Sequence, residues 1–310
     1  MTEGQGKDLI LGIVEGYHFH QIRCFLATLR QTDFSGHLCL FAGPGISRAT
    51  IVKMRGYGAE VIEYGRRFPF ISDPHPDAPN WLPARIYIFN YRHFLYLDYL
   101  LKHPGEFRTV LLTDVKDVVF QRDPFGFAVP NQLCVAMESL EIPVGKCSCT
   151  PDWIVAGYGR EALERVKDKE LSCAGTVLGP EPAVRAYLQA ILQQVQQMRD
   201  AFECADQAAH NLMLHDGQLG PVTRFHNFEG PIATVGTEDK FAISDAGDIL
   251  NKDGSAVAIV HQYDRHPHLV RMYDRKAQPS AWRRSLDQVE WLGVRLYRRA
   301  KSAVRHLLPI

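Results

Sequence analysis

An apolar strand that runs straight into two carboxylates constrains this chain more than any other feature. Residues 108–125 read RTVLLTDVKDVVFQRDPF. Val110, Leu111 and Leu112 have the composition of a buried strand; it stops at Thr113 and Asp114, and Asp117 follows one short turn later. Val118, Val119 and Phe120 restore an apolar run, which Asp123 and Pro124 close. Carboxylates at the end of a buried strand lose hydration and need a counter-charge. In open α/β sheets that carboxyl edge is also where ligands bind. Hard oxygen ligands presented there suit Mg²⁺ or Mn²⁺, and either ion can hold a diphosphate. An Asp-rich turn capping its own backbone amides is the competing reading of the same residues.

The rest of the chain alternates in type. The apolar runs at residues 9–14 and 38–41 read as strands, as do residues 60–64. Residues 21–29 and 48–55 carry helical spacing, with Ile22, Phe25, Leu26 and Leu29 on one face. Strand–helix alternation of this kind predicts an α/β fold with a mainly parallel sheet covered on both faces. Residues 68–83, rich in proline, read as a loop, and 84–102 as a long helix. Strands are expected at 110–112, 133–136, 173–178 and 256–260, and helices at 160–166, 182–199 and 206–214. Residues 151–159 read as a loop.

Bulk properties exclude several classes. Lys plus Arg and Asp plus Glu are equal at 35 each, so charge gives no argument for a nucleic-acid partner. The seven cysteines include no C-x-x-C pair, and Cys147 and Cys149 are too close for a usual zinc knuckle. Reduced thiols in a cytoplasmic protein are the expectation. The amino-terminal residues lack the apolar core of a signal peptide. From Ser280 onward, Arg283, Arg284, Arg295, Arg298, Arg299, Lys301 and Arg305 face only Asp287 and Glu290, over apolar residues at helical spacing. Such a basic amphipathic helix suits either an anionic membrane surface, reached from the cytoplasmic side, or a packed helix with a solvated basic face.

Familiar nucleotide loops are missing. Gly43-Pro44-Gly45 follows a strand, but Arg48 stands where a dinucleotide fingerprint needs its third glycine, and Pro44 offers no amide. No G-x-S-x-G elbow, phosphate loop or H-E-x-x-H helix occurs.

Four distant segments complement Asp114 and Asp117. Val14-Glu15-Gly16-Tyr17 ends the first strand with a small residue that leaves room for a base and an aromatic to stack on it. Arg85 offers a guanidinium suited to a diphosphate. In Asp206-Gln207-Ala208-Ala209-His210-Asn211, Asp206 and His210 share one helical face and Gln207 and Asn211 the next, which suggests a lined cleft. His261 ends an apolar strand inside the polar cluster HQYDRHP, and imidazole would complete a Mn²⁺ site.

Taken together, LLTDVKDVVFQRDPF, SCAGTVLG at 172–179, DQAAHN at 206–211 and HQYDRHP at 261–267 resemble the GT-A glycosyltransferases that use nucleotide sugars. The usual Asp-x-Asp motif of that superfamily is here Asp-x-x-Asp, with Asp117 at the second position. The resemblance implies a Rossmann-like GT-A domain over residues 1–267 and a basic helical extension over 268–310. It implies Mn²⁺ (or Mg²⁺) among Asp114, Asp117 and His261. It also puts Val14, Glu15, Tyr17, Arg85, Asp114 and Gly175 around the donor, with the Cys173-Ala174-Gly175 turn beside the sugar. Asp206 and Gln207 would lie near the reacting carbon. The expected reaction moves a hexose from a nucleotide sugar, with a UDP sugar the expected donor, to a glycan or lipid-linked acceptor, as in bacterial surface polysaccharide assembly. A sugar-phosphate nucleotidyltransferase and a catalytically inactive binding or scaffold protein at the membrane surface are the rivals.

Overall fold

Alternate residues of the first strand, β1 (Lys7–Val14), enter different cores. Leu9, Leu11 and Ile13 join one apolar cluster, while Ile10 and Val14 join another. A strand buried on both faces belongs in the middle of a sheet with helices above and below. The computed structural model, which describes residues 6–83, 85–139, 141–203 and 205–278, has that arrangement. β1 pairs in parallel with β2 (His37–Ala42) on one side and with β4 (Phe107–Thr113) on the other. β3 (Glu60–Glu63) extends the first edge. Beyond β4 come β7 (Ser172–Pro180), β6 (Leu133–Met137) and β8 (Val222–Phe225), giving the order β3-β2-β1-β4-β7-β6-β8. Only β7 runs against its neighbours, so the sheet is mainly parallel as expected.

Helices α1 (Phe19–Leu29) and α2 (Arg48–Gly56) cover one face through Ile22, Phe25, Leu26, Ile51 and Met54. On α2 the Ser47 side chain caps the Thr50 amide at 3.1 Å. The other face is covered by α3 (Ile88–Lys102) and α6 (Glu181–Gln197), through residues such as Phe94, Tyr187 and Leu188. Each fully buried Leu or Phe of this kind contributes roughly 1.5–3 kcal/mol. A small second sheet has β10 (Ile259–His261) at its centre, antiparallel to β5 (Val118–Phe120) and parallel to β9 (Ile232–Thr234).

Three expectations change. Residues 151–159 are not a loop, because α4 spans Thr150–Tyr158, with α5 (Arg160–Val166) following it. Pro151 occupies the first turn, where its missing N–H costs nothing, and Gly159 at φ +90° ends the helix. The long helix starts at Ile88 rather than residue 84, so Arg85 precedes it. The Tyr87 amide donates to the Ala201 carbonyl at 3.0 Å, which holds Tyr87 extended as the N-cap. Residues 173–175 are not a turn either; they lie within β7, where the register against β6 shifts between Val135 and Ala136. The first residues of the proposed extension form α8 (Pro267–Lys276), whose Leu269 and Tyr273 are buried with Cys24 and Ala27 of α1. The basic pattern after Ser280 lies outside the described residues. Among the described residues no helix is long and apolar enough to cross a membrane.

Candidate active site

The second sheet explains how residues far apart in the chain meet. β4 ends at Thr113, and Asp114 follows with its amide donating to the Gly175 carbonyl at 2.8 Å. The short loop to β5 carries Asp117. Pairing of β5 with β10 sets His261 opposite Val118, and the Gln262 amide donates to the Asp117 carbonyl at 2.7 Å. That register brings the imidazole to both carboxylates. Gln262 pays in backbone strain, with φ +62°, a left-handed conformation that a non-glycine residue rarely adopts.

His261 Nε2 lies 3.4 Å from Asp114 Oδ2 and 3.6 Å from Asp117 Oδ1. The ligand atoms of the three residues all fall within 4.8 Å of one another. His261 Nε2 is buried and has no hydrogen-bond partner in the protein. Ligands about 2.1 Å from a shared ion and at right angles to one another sit about 3 Å apart. The cluster therefore fits a hard divalent cation: two carboxylates, one imidazole, and an orphaned nitrogen aimed between them. Gly175 makes the approach possible, since a Cβ there would stand 2.4 Å from His261 Cε1 and 2.6 Å from Asp114 Oδ2. Burial opposes charge on His261, but acidic neighbours (Cys173, then Asp117 and Asp114) raise its pKa well above the ordinary value. The two carboxylates carry that effect, because burial keeps Cys173 a thiol. The site thus attracts a cation, either a proton or a metal.

Arg92, from α3, is the residue the sequence reading missed. Its Nη1 donates to Asp114 Oδ1 at 2.5 Å, and its Nε and Nη2 reach Asp206 Oδ2 at 3.1 and 2.6 Å. His93 Nε2 meets the same Asp206 oxygen at 2.9 Å. Burial would raise both carboxyl groups. The Arg92 charge, with the hydrogen bond from His93 to Asp206 and the His261 imidazole beside Asp114, outweighs it and holds both below the usual carboxylate range. A signal was present in the sequence: Tyr91, Phe94, Leu95, Tyr96, Leu97, Tyr99 and Leu100 leave the helix apolar on every side, and an arginine in such a helix must be paired.

The helix α7 (Asp206–His215) splits its polar residues between two jobs. Asp206 and Gln207 face the cleft. Gln207 accepts from the Ala174 amide at 2.7 Å and donates to the Ser172 carbonyl at 2.8 Å. His210 and Asn211 do not line the cleft. They lie beneath β7, with His210 between the Ser172 and Tyr187 hydroxyls at 2.9 and 3.0 Å and Asn211 bonded to the Ser172 backbone. Burial pulls the His210 pKa down to about 4.

At the end of β1, Val14 is buried and its carbonyl accepts from the Gly43 amide at 2.8 Å. Glu15 accepts from the Tyr64 hydroxyl at 2.5 Å and from the Tyr91 hydroxyl. Tyr17 is pushed up to about 12 by burial and by the charges of Asp114 and Asp117, which sets it near the acidic cluster. Arg85 is exposed, stacked over Phe202 with its guanidinium carbon 4.5 Å from the ring centre, and does not line the cleft.

The cleft has a volume of about 640 Å³. Its acidic wall holds Asp114, Asp117, His261, Arg92 and Asp206. Glu138, Ile142, Trp153 and Arg265 also line the cleft. Glu138 is 5 % exposed, and burial pushes its carboxyl up from the usual range.

No protein-family model matches the chain, and no curated protein sequence matches it. Among solved structures it is similar to the galactosyltransferase LgtC in complex with donor and acceptor sugar analogs. The two share 16 % sequence identity and superpose with a TM-score of 0.50 over 89 % of this chain and 99 % of the other. The chain therefore has the GT-A fold, an α/β architecture on a mainly parallel central sheet.

Proposed function

We propose that this GT-A chain is a metal-dependent glycosyltransferase. It moves a hexose from a nucleotide sugar, in the first place a UDP sugar, to a hydroxyl of a glycan or lipid-linked acceptor. The observation that carries the reading is the convergence of Asp114, Asp117 and the buried His261 Nε2 at the edge of a cleft large enough for a nucleotide sugar. These three residues would hold Mn²⁺ or Mg²⁺, and the ion, when bound, would neutralise charge developing on the departing diphosphate.

The protein's own groups divide the remaining work. Arg92 fixes Asp114 through Oδ1, leaving Oδ2 turned towards His261. Gly16, at φ +72° with open space around it, and the aromatic Tyr17 suit a nucleotide base, while Tyr64 and Tyr91 orient the Glu15 carboxylate beside them. Asp206 takes three donors on one oxygen, which makes it a fixed negative charge rather than a proton acceptor. Its role in this reading is to stabilise positive charge at the sugar carbon. Gln207 ties that helix end to β7 beside Gly175.

Donor hydrolysis in the presence of Mn²⁺ tests the proposal. The wild type releases nucleoside diphosphate, and Asp117→Ala lowers the rate at least 100-fold while abolishing the thermal stabilisation that a UDP sugar with Mn²⁺ confers. Equal inertness of the two proteins towards every UDP sugar, or stabilisation by a ligand that is not a sugar nucleotide, would refute it.

A further inference from the structure

Two carboxylates face the cleft outside the metal cluster, and their surroundings differ. Asp206 is saturated by Arg92 and His93. Glu138, one residue past the end of β6, is nearly as buried, yet no ion pair clamps it among the described residues: the His261 and Arg265 charges act on it from a distance, and its near neighbours are the neutral Cys173 and Gln207. Gln207 Nε2 reaches its Oε1 only at a long 3.4 Å, and that amide already serves the Ser172 carbonyl at 2.8 Å. A carboxylate removed from water without strong donors is costly to keep, and one lining a cavity is satisfied by a ligand that brings a donor. Glu138 lines the same cleft as Asp114 and Asp117, next to Gln207 and within reach of the His261 charge. Half-exposed Trp153 and Phe89 line the same cleft with Ile142. An indole face in the same cleft as a hydroxyl-binding carboxylate matches the C–H face and the hydroxyl edge of a pyranose ring.

We infer that Glu138 binds the attacking hydroxyl of the acceptor, that the acceptor is a carbohydrate, and that its ring lies against Trp153. This rests on the glycosyl-transfer reading and adds to it the group that meets the second substrate. Glu138 accepts the hydroxyl's hydrogen bond and turns its oxygen towards the sugar carbon.

The test uses the full chain with Mn²⁺ and a UDP-sugar panel. It measures donor-induced thermal stabilisation, and nucleotide release with and without methyl and phenyl hexosides. Wild type is stabilised by a donor and its release is stimulated by at least one hexoside. Glu138→Gln keeps the donor stabilisation and lowers the stimulated release 10- to 100-fold, the scale of one charge-assisted hydrogen bond. Glu138→Asp, which keeps the charge on a shorter arm, recovers part of the loss. Glu138→Gln stimulated as strongly as wild type would overturn the inference, as would loss of donor stabilisation together with release. Wild type that binds donor but answers to no hexoside would exclude a carbohydrate acceptor. Wild type stabilised by no nucleotide sugar is the separate failure of the glycosyl-transfer reading itself.

Discussion

Replacing Arg92 by methionine removes the one guanidinium that bridges Asp114 and Asp206. Arg92 is 4 % exposed and Asp206 3 %, so the pair sits in protein rather than in water. Breaking a buried ion pair from one side leaves the other charge uncompensated, which costs about 3–5 kcal/mol. Asp206→Asn is milder, about 1–2 kcal/mol, because Arg92 keeps Asp114 and the amide oxygen still accepts a hydrogen bond. The double variant carries no stranded charge at position 206. Its cost should therefore fall short of the summed singles by about 2 kcal/mol. Urea unfolding followed by circular dichroism measures all four proteins, with the midpoint shifting at constant slope. The pH dependence adds a sign. In the wild type the depressed Asp206 stabilises above the unfolded carboxyl value and loses that contribution as pH falls through its folded one. In Arg92→Met the carboxyl has lost its counter-charge and is raised, so the penalty shrinks as pH is lowered towards 4. Additivity of the singles to within about 0.5 kcal/mol would show that the pair is not coupled and would refute this reasoning.

Further outcomes follow from the same structure. His210 is neutral when folded, with its pKa near 4, whereas the unfolded residue titrates near 6.5. The unfolded state therefore binds more protons between those values. Stability should hold above about pH 6.5 and fall by up to about 3 kcal/mol on acidification to pH 4, a slope that Tyr187- and Ser172-compatible His210→Gln lacks; identical pH curves for the two proteins would contradict it. We further propose that the basic stretch after Ser280 meets an anionic membrane from the cytoplasmic side, where a lipid-linked acceptor would lie. Each Lys or Arg near such a surface contributes about 1 kcal/mol. Flotation with phosphatidylserine liposomes should recover the full chain and lose a version ending at Gln278, and equal recovery would end the idea.

The acidic residues of the cleft are specialised by their neighbours rather than by their type. Asp114 is clamped on one oxygen and turned to the histidine on the other. Asp206 is held as a permanent charge, and Glu138 is left with room for a donor from outside. Divergent environments of this kind assign different roles to chemically equivalent groups.

Local pattern was enough for the alternating strands and helices and the buried strand ending at Asp114, while the grouping of that strand end with His261 came from the resemblance to the GT-A family. Burial of alternate faces and the loss of hydration at a strand terminus are written in neighbouring residues, so they can be read without the fold. Pro151 was misread because a proline in a first helical turn and a proline in a loop look alike until the following hydrogen bonds exist. The tertiary structure alone decided the rest. It moved the guanidinium from Arg85 to Arg92, took His210 and Asn211 out of the cleft, and separated Asp206 from Glu138. Each of those outcomes depends on which long-range partner reaches a buried polar atom first, and that competition is settled only when the helices close over the sheet.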